Sequence, residues 1–251
     1  MPKYGMVIDL HKCVGCGACG LACKTGNNTG ERANGQSHNW ADYMIEVEGK
    51  FPKVSYTNYP VLCNHCSNAP CVDACPVEPK AMFKTKDGIT MHNDERCIGC
   101  LACQYACPYS DDDLDAGNSQ YSVISHNLED EPTHARYTDA TSLYAGTASG
   151  AKMAAAAGAI PPYKTEYSHP DYEAVRRPGI VEKCIFCDHL VQNGELPYCV
   201  VACPSSARTF GDLSDGNNDV AKLLRKHESI VLKPEEGTKP NVYYIRKRSM
   251  A

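Results

Sequence analysis

Sixteen cysteines stand in four groups of four, with none left over. The groups are Cys13, Cys16, Cys19, Cys23; Cys63, Cys66, Cys71, Cys75; Cys97, Cys100, Cys103, Cys107; and Cys184, Cys187, Cys199, Cys203. The first and third groups have the spacing C-x2-C-x2-C-x3-C. That is the spacing with which thiolates hold a cubane [4Fe–4S] cluster. Three cysteines two residues apart curl round one corner of such a cluster, and the fourth lies a helical turn further on and points elsewhere. Proline follows Cys75, Cys107 and Cys203; it turns the chain away after the last ligand, since it fixes φ and donates no hydrogen bond. Cys23 is followed by Lys24 instead. Four quartets imply four clusters, and therefore a chain that conducts electrons.

Two other sulfur chemistries fit less well. Triples at this spacing crowd three sulfurs into seven residues, and neighbours that close make poor disulfide partners. Zinc sites with four cysteines also use C-x2-C pairs, but they do not require a third cysteine two residues on and a fourth before proline. A zinc-stabilised interaction module stays as the alternative outside redox chemistry. No Ser-His-Asp set, no phosphate-binding loop and no G-x-G-x-x-G after a strand is present, so nothing points to catalysis on this chain itself.

The elements that must position these sulfurs show internal repetition. Residues 13–23 read CVGCGACGLAC and residues 97–107 read CIGCLACQYAC, and the other two runs are expanded versions that both end in CV-x-ACP. Such similarity argues for duplicated units. In two-cluster ferredoxins the fourth cysteine of a run ligates the other cluster, so runs are expected to work in pairs. Between Cys75 and Cys97 lie 21 residues, between Cys23 and Cys63 lie 39, and between Cys107 and Cys184 lie 76. The shortest connector reads as a hairpin, AMFKT and ITMH round Asp87-Gly88. The second and third runs are therefore expected in one unit, and the first and fourth in the other.

The fold class expected is α+β: two bacterial-ferredoxin-like units, each holding two [4Fe–4S] clusters, with a long insert and a C-terminal extension. Unit one spans 1–60 plus 175–251, unit two 61–126, and the cysteine-free insert 109–180. Strands are expected at Met6–Leu10, Tyr43–Glu48, Val54–Tyr59, Ala81–Lys84, Ile89–His92, Tyr121–Ser125, Ala207–Phe210 and Val242–Arg246. Brief helices follow the third cysteine of each run, and a longer helix spans Val220–His227 with Asn218 or Asp219 as its cap. The segment 108–183 holds DDDLD, ASGAKMAAAAGA and Pro161-Pro162. It reads as an extension over a partner subunit, with a solvated insert as the plainer reading.

Composition narrows the class further. Phe is scarce at four, Trp is single, and mean hydropathy is −0.41. The apolar core is thin, so metal clusters are expected to serve as staples. Net charge is −5 with no basic stripe, which speaks against nucleic acid. No apolar run reaches the ~20 residues of a spanning helix. The N-terminus lacks the pattern of a secretory signal. The expected place is either the cytoplasm or, by co-export with a signal-bearing partner, the periplasmic face of the membrane.

The runs MVIDLHKCVGCGAC, LACKTGNNT, LCNHCSNAPCV and EKCIFCDH, with the tail LKPEEGTKPNVYYIR, resemble the four-cluster ferredoxin subunit of the DMSO reductase family of molybdenum and tungsten oxidoreductases. Within that family the likeness points towards the small subunits of respiratory arsenate reductases. The resemblance covers residues 4–107 and 180–247. It implies one cluster on Cys13, Cys16, Cys19 and Cys203, and its mate on Cys184, Cys187, Cys199 and Cys23. It implies a third on Cys63, Cys66, Cys71 and Cys107, and a fourth on Cys97, Cys100, Cys103 and Cys75. It implies electron relay between a large molybdopterin (bis-MGD) catalytic subunit and a quinol-linked or other redox partner, such as a membrane quinol-oxidising subunit or a cytochrome. The chain itself would be non-catalytic and have no membrane span. A free-standing polyferredoxin carrier is the alternative. The insertion DDDLDAGNSQ after Cys107-Pro108-Tyr109-Ser110 departs from the family pattern.

Some neighbours of the cysteines carry their own expectations. His65 and His189 are expected to hydrogen-bond or fill space rather than ligate, because every quartet is complete. Lys12, Lys24, Arg96 and Lys183 flank the runs, either as ordinary surface charge or as a positive field that offsets cluster charge. Gly15 and Gly99 are expected to let backbone N–H groups approach sulfur.

Overall fold

The computed structural model describes residues 1–27, 29, 39–110, 122–127, 156 and 178–247. Helices and strands are mixed along this part of the chain, as an α+β protein requires. The expected insert lies mostly outside the described residues, as does Tyr121 of the strand expected at Tyr121–Ser125.

The principal sheet has four strands. Its central strand β1 (Tyr4–Asp9) reads YGMVID and is buried on both faces, which is what a near-continuous apolar run in a sheet interior requires. β1 pairs antiparallel with β8 (Arg208–Asp212) and parallel with β10 (Val242–Ile245). The two-residue strand β9 (Ser229–Ile230) closes the far edge on β10. Alternation along β1 divides the core. Met6 and Ile8 join the large core that contains many of the cysteines, with Tyr244, Val242, Phe186 and Phe210. Val7 and Ile245 face the other way, onto Val220. That second face is covered by helix α6 (Asp219–Lys226), whose Asn218 cap accepts the Val220 N–H at 3.3 Å. The expected helix and cap are both present, the helix one residue earlier than expected.

The remaining strands form two-stranded ladders. β2 (Ala41–Lys50) and β3 (Lys53–Leu62) pair along their whole length, from Ala41 opposite Leu62 to Lys50 opposite Lys53. Both are longer than expected, because pairing continues past the expected ends, with Ala41 opposite Leu62 and Asp42 opposite Val61 at one end and Lys50 opposite Lys53 at the other. β4 (Met82–Lys84) and β5 (Thr90–His92) make the expected hairpin round Gly88, which takes φ 85°. β6 (Ile124–His126) pairs with β7 (Val181–Lys183). β7 has no counterpart among the expected strands, since its sequence VEK carries two charges, yet all three residues are buried.

The short helices carry the cysteines. α1 (Ala18–Gly26) holds Cys19 and Cys23, α2 (Pro70–Asp73) holds Cys71, and α3 (Ala102–Ala106) holds Cys103. Helix α4 (Asp188–Val191) follows Cys187, and α5 (Tyr198–Val201) holds Cys199. Each helix at a third cysteine thus begins one residue before that cysteine. α1 packs on α5, and α2 packs on α3. Among the described residues no helix is long and apolar enough to cross a membrane.

Candidate iron–sulfur centres

The loop at each C-x2-C pair has one conformation. The residue two after the first cysteine takes positive φ: Gly15 at 67°, His65 at 44°, Gly99 at 66° and Phe186 at 51°. Its backbone N–H then turns onto that cysteine's sulfur. His65 N–H donates to Cys63 Sγ at 3.5 Å, Gly99 to Cys97 at 3.5 Å and Phe186 to Cys184 at 3.4 Å. Gly15 makes the same bond to Cys13. The expectation for Gly15 and Gly99 therefore holds, and the same turn is made at His65 and Phe186 without glycine.

All sixteen thiols are free, and three cavities are each lined by one foursome. Cys13, Cys16, Cys19 and Cys203 line one, beside Gly15, Gly17 and Arg208. Cys63, Cys66, Cys71 and Cys107 line a second, beside Asn64 and Lys183. Cys75, Cys97, Cys100 and Cys103 line a third, beside His92. The last foursome is read from its electrostatics: burial first, then the charges of Cys184, Cys187 and Cys199, push the Cys23 thiol well above its ordinary range. Each fourth cysteine in sequence thus stands with the three sulfurs of another run. Cys19 and Cys23 show why: they sit one helical turn apart on α1, close enough to serve adjacent centres. Among the described residues no three Cys, His, Asp or Glu side chains converge as the ligands of a single ion would. The thiols surround cavities instead, which suits a polynuclear cluster.

Thiol acidity supports the same fit. Burial, with the repulsion of neighbouring thiolates, lifts Cys66 to about 11 and Cys103 and Cys187 to about 12. Buried, mutually repelling thiols ionise only when a cation neutralises them, so metal binding and folding are coupled. Neighbouring foursomes also feel one another's charge in series. The charge of Cys19 bears on Cys199, that of Cys63 on Cys184, and that of Cys103 on Cys71.

Comparison with known proteins decides the class of chain. A family model described as a 4Fe-4S dicluster domain matches residues 54–123 and 136–213, and one described as a 4Fe-4S binding domain matches residues 6–27. The chain is 44% identical to the arsenate respiratory reductase iron–sulfur subunit ArrB of Shewanella sp. (strain ANA-3), over 97% of this chain and 96% of that protein. This chain belongs to the 4Fe-4S dicluster family of reductase iron–sulfur subunits. It is 32% identical to a subunit of the tetrathionate reductase of Salmonella typhimurium, over 97% of this chain and 72% of the relative. Against a polypeptide of the polysulfide reductase of Wolinella succinogenes the figures are 29%, 97% and 94%. The resemblance expected from the motifs holds: the chain is an iron–sulfur electron-transfer subunit, not catalytic alone, and [4Fe–4S] clusters are its cofactors.

In this iron–sulfur subunit the flanking charges divide. Lys12 and Arg96 are exposed, and half-buried Lys24 reaches Asn39 Oδ1 at 3.3 Å. Lys183 is no surface charge: it is buried, lines the Cys63 cavity and donates Nζ to the carbonyls of Thr90 and Cys184. His65 is fully buried, its Nδ1 accepts the Thr90 N–H at 3.1 Å, and its ring stacks on Phe186 with centroids 3.6 Å apart. His189 lies near the Tyr198 ring, at 5.9 Å. Neither histidine is brought into a foursome.

Two sulfur donors and a buried histidine beside a foursome were missed by sequence reasoning. Arg208 is buried and donates Nη2 to Cys19 Sγ at 3.4 Å. Burial would lower its pKa, but the charges of Cys199 and Cys19 outweigh that and raise it, so the cation is fixed. Asn27 Nδ2 reaches Cys23 Sγ at 3.4 Å and Cys187 Sγ at 3.6 Å. His92 lines the Cys97 cavity, and its Nδ1 meets Asp94 Oδ1 at 2.9 Å. Burial opposes its protonation, but Asp94 and Cys97 together raise its pKa to about 9. Position carried a weak signal for Arg208 alone, five residues after Cys203 at the start of a strand.

Proposed function

We propose that this chain carries four [4Fe–4S] clusters and relays electrons between a molybdopterin catalytic subunit and a quinol-linked or other redox partner. The ligand sets proposed are those expected from the resemblance: Cys13, Cys16, Cys19, Cys203; Cys184, Cys187, Cys199, Cys23; Cys63, Cys66, Cys71, Cys107; and Cys97, Cys100, Cys103, Cys75. When bound, each cluster exchanges one electron at a time. The observation that carries the reading is the electrostatic coupling of one foursome to the next, Cys19 with Cys199, Cys63 with Cys184 and Cys103 with Cys71. It supports a single row with the Cys13 and Cys97 centres at its ends.

Burial fits that order. Every cysteine of the two inner sets is buried, whereas each outer set has one exposed member, Cys16 or Cys100. Exposed apolar side chains stand beside both, Val14 and Leu21 at one end, Ile98 and Tyr105 at the other. Apolar surface next to a redox centre suits partner docking at two ports. The proposed units are the first run with the fourth and the second with the third, in line with the packing of α1 on α5 and α2 on α3. Full-length likeness to the Shewanella subunit makes an arsenate-reducing chain the first partner to test.

Copurification with metal analysis tests the reading. Anaerobic isolation of the native complex is expected to yield a large molybdenum-binding chain with this one, and about 16 irons per copy of it, four per cubane. A monomer that binds no such chain would favour a free-standing carrier.

A further inference from the structure

Asn64 is a buried polar side chain to which the described residues supply no partner. It lines the cavity formed by Cys63, Cys66, Cys71 and Cys107. It is 1% exposed, and neither Nδ2 nor Oδ1 has a hydrogen-bond partner among the described residues. Its backbone is well held: its carbonyl accepts the Asn241 N–H at 2.9 Å, and the next carbonyl, of His65, accepts Asn241 Nδ2 at 2.6 Å. The loop is thus pinned from outside while the amide stands at the cavity wall. Buried amides are hydrogen-bonded in native proteins, so the missing partner belongs in the cavity. The neighbouring inner site shows the same pairing directly, where the Asn27 amide donates to two cysteine sulfurs.

We propose that Asn64 Nδ2–H donates to a sulfur of the cluster on Cys63, Cys66, Cys71 and Cys107 and sets that cluster's reduction potential. The proposal rests on the ligand set given above for that centre. Sulfur accepts and Oδ1 cannot donate, so it is the NH2 end that faces the cluster. Reduction adds negative charge, which strengthens a hydrogen bond to sulfur, so the donor favours the reduced form and raises the potential. His65 is a weaker candidate, since its ring is stacked on Phe186 and it is not among the residues lining this cavity.

The test is an EPR-monitored redox titration of the intact complex carrying Asn64→Leu, which keeps the volume and removes the donor. The expected result is four clusters, with one inner cluster about tenfold harder to reduce, or 59 mV lower for a one-electron couple, and the other three unmoved. Asn64→Gln, which keeps the amide, is expected to recover part of the shift. Four clusters with unchanged potentials in the leucine variant would overturn the proposal. Should that variant fail to assemble, the unmutated complex with asparagine side chains labelled with 15N serves instead. Pulsed EPR is expected to show two amide couplings, one at each inner cluster, and a single coupling would overturn the proposal. An unmutated complex with fewer than four clusters would strike the ligand assignment itself, an outcome distinct from either failure.

Discussion

At the scale of single residues, the recurring device is a positive-φ turn that aims a backbone N–H at sulfur. Glycine announces it at Gly15 and Gly99, so half of these turns were legible. His65 and Phe186 make the same turn with bulky side chains, and no local signal reveals it; their ring stack, visible only in three dimensions, offsets the strain. The two glycines are not equivalent. A Cβ on Gly99 would meet the Gly179 carbonyl oxygen at 2.0 Å, whereas one on Gly15 would meet the Asn58 side chain, which can move. Gly99→Ala adds to that clash a left-handed conformation costing about 1–2 kcal/mol. It is expected to lose one cluster, with iron falling from about 16 to about 12 per chain, while Gly15→Ala keeps all four; equal iron in the two variants would contradict this. Arg208 invites a second test. Removing its charge by Arg208→Gln is expected to lower the potential of the Cys13 centre by about 59 mV, a tenfold change for one electron, with Arg208→Lys intermediate. Redox titration decides it, and an unmoved potential would show that the guanidinium only packs.

At the scale of elements, a short helix delivers one sulfur to each of two centres. Cys19→Ser and Cys23→Ser alter side chains one turn apart on α1, yet they are expected to remove different clusters. Cys203→Ser is expected to give the same EPR loss as Cys19→Ser despite the distance in sequence. If Cys19→Ser and Cys23→Ser abolish the same signal, the crosswise ligand sets are wrong. Helix α6 was legible from its cap. Asn218→Ala is expected to cost about 1 kcal/mol of stability, read as a lower thermal midpoint with unchanged iron. β7 was not legible, because Glu182 and Lys183 look like surface charges. Burial is tolerated there because Glu182 accepts from Trp40 Nε1 and Asn127 Nδ2, both at 3.2 Å, and Lys183 donates to two carbonyls. Trp40, Asn127 and Thr90 come from distant parts of the chain, which a local pattern does not reveal.

At the scale of the whole molecule, many of the sixteen cysteines are themselves members of the large core, beside Met6, Ile8, Phe186 and Tyr244. The sequence disclosed this arrangement in outline: few large apolar residues and four complete quartets leave metal as the natural centre of the fold. What it left hidden was the order of the sites, to which the charge of Cys63 bearing on Cys184 is the guide. A core built on buried thiols cannot survive intact once the metal leaves. Anaerobic chelation is therefore expected to abolish the sheet signal in circular dichroism along with the visible absorbance, in one transition. The most direct test of the central claim is the stoichiometry of iron, acid-labile sulfide and zinc in the anaerobically purified native complex. Four cubanes predict about 16 irons and 16 sulfides per copy of this chain; about four zincs without labile sulfide, or iron near half that value, would contradict the account.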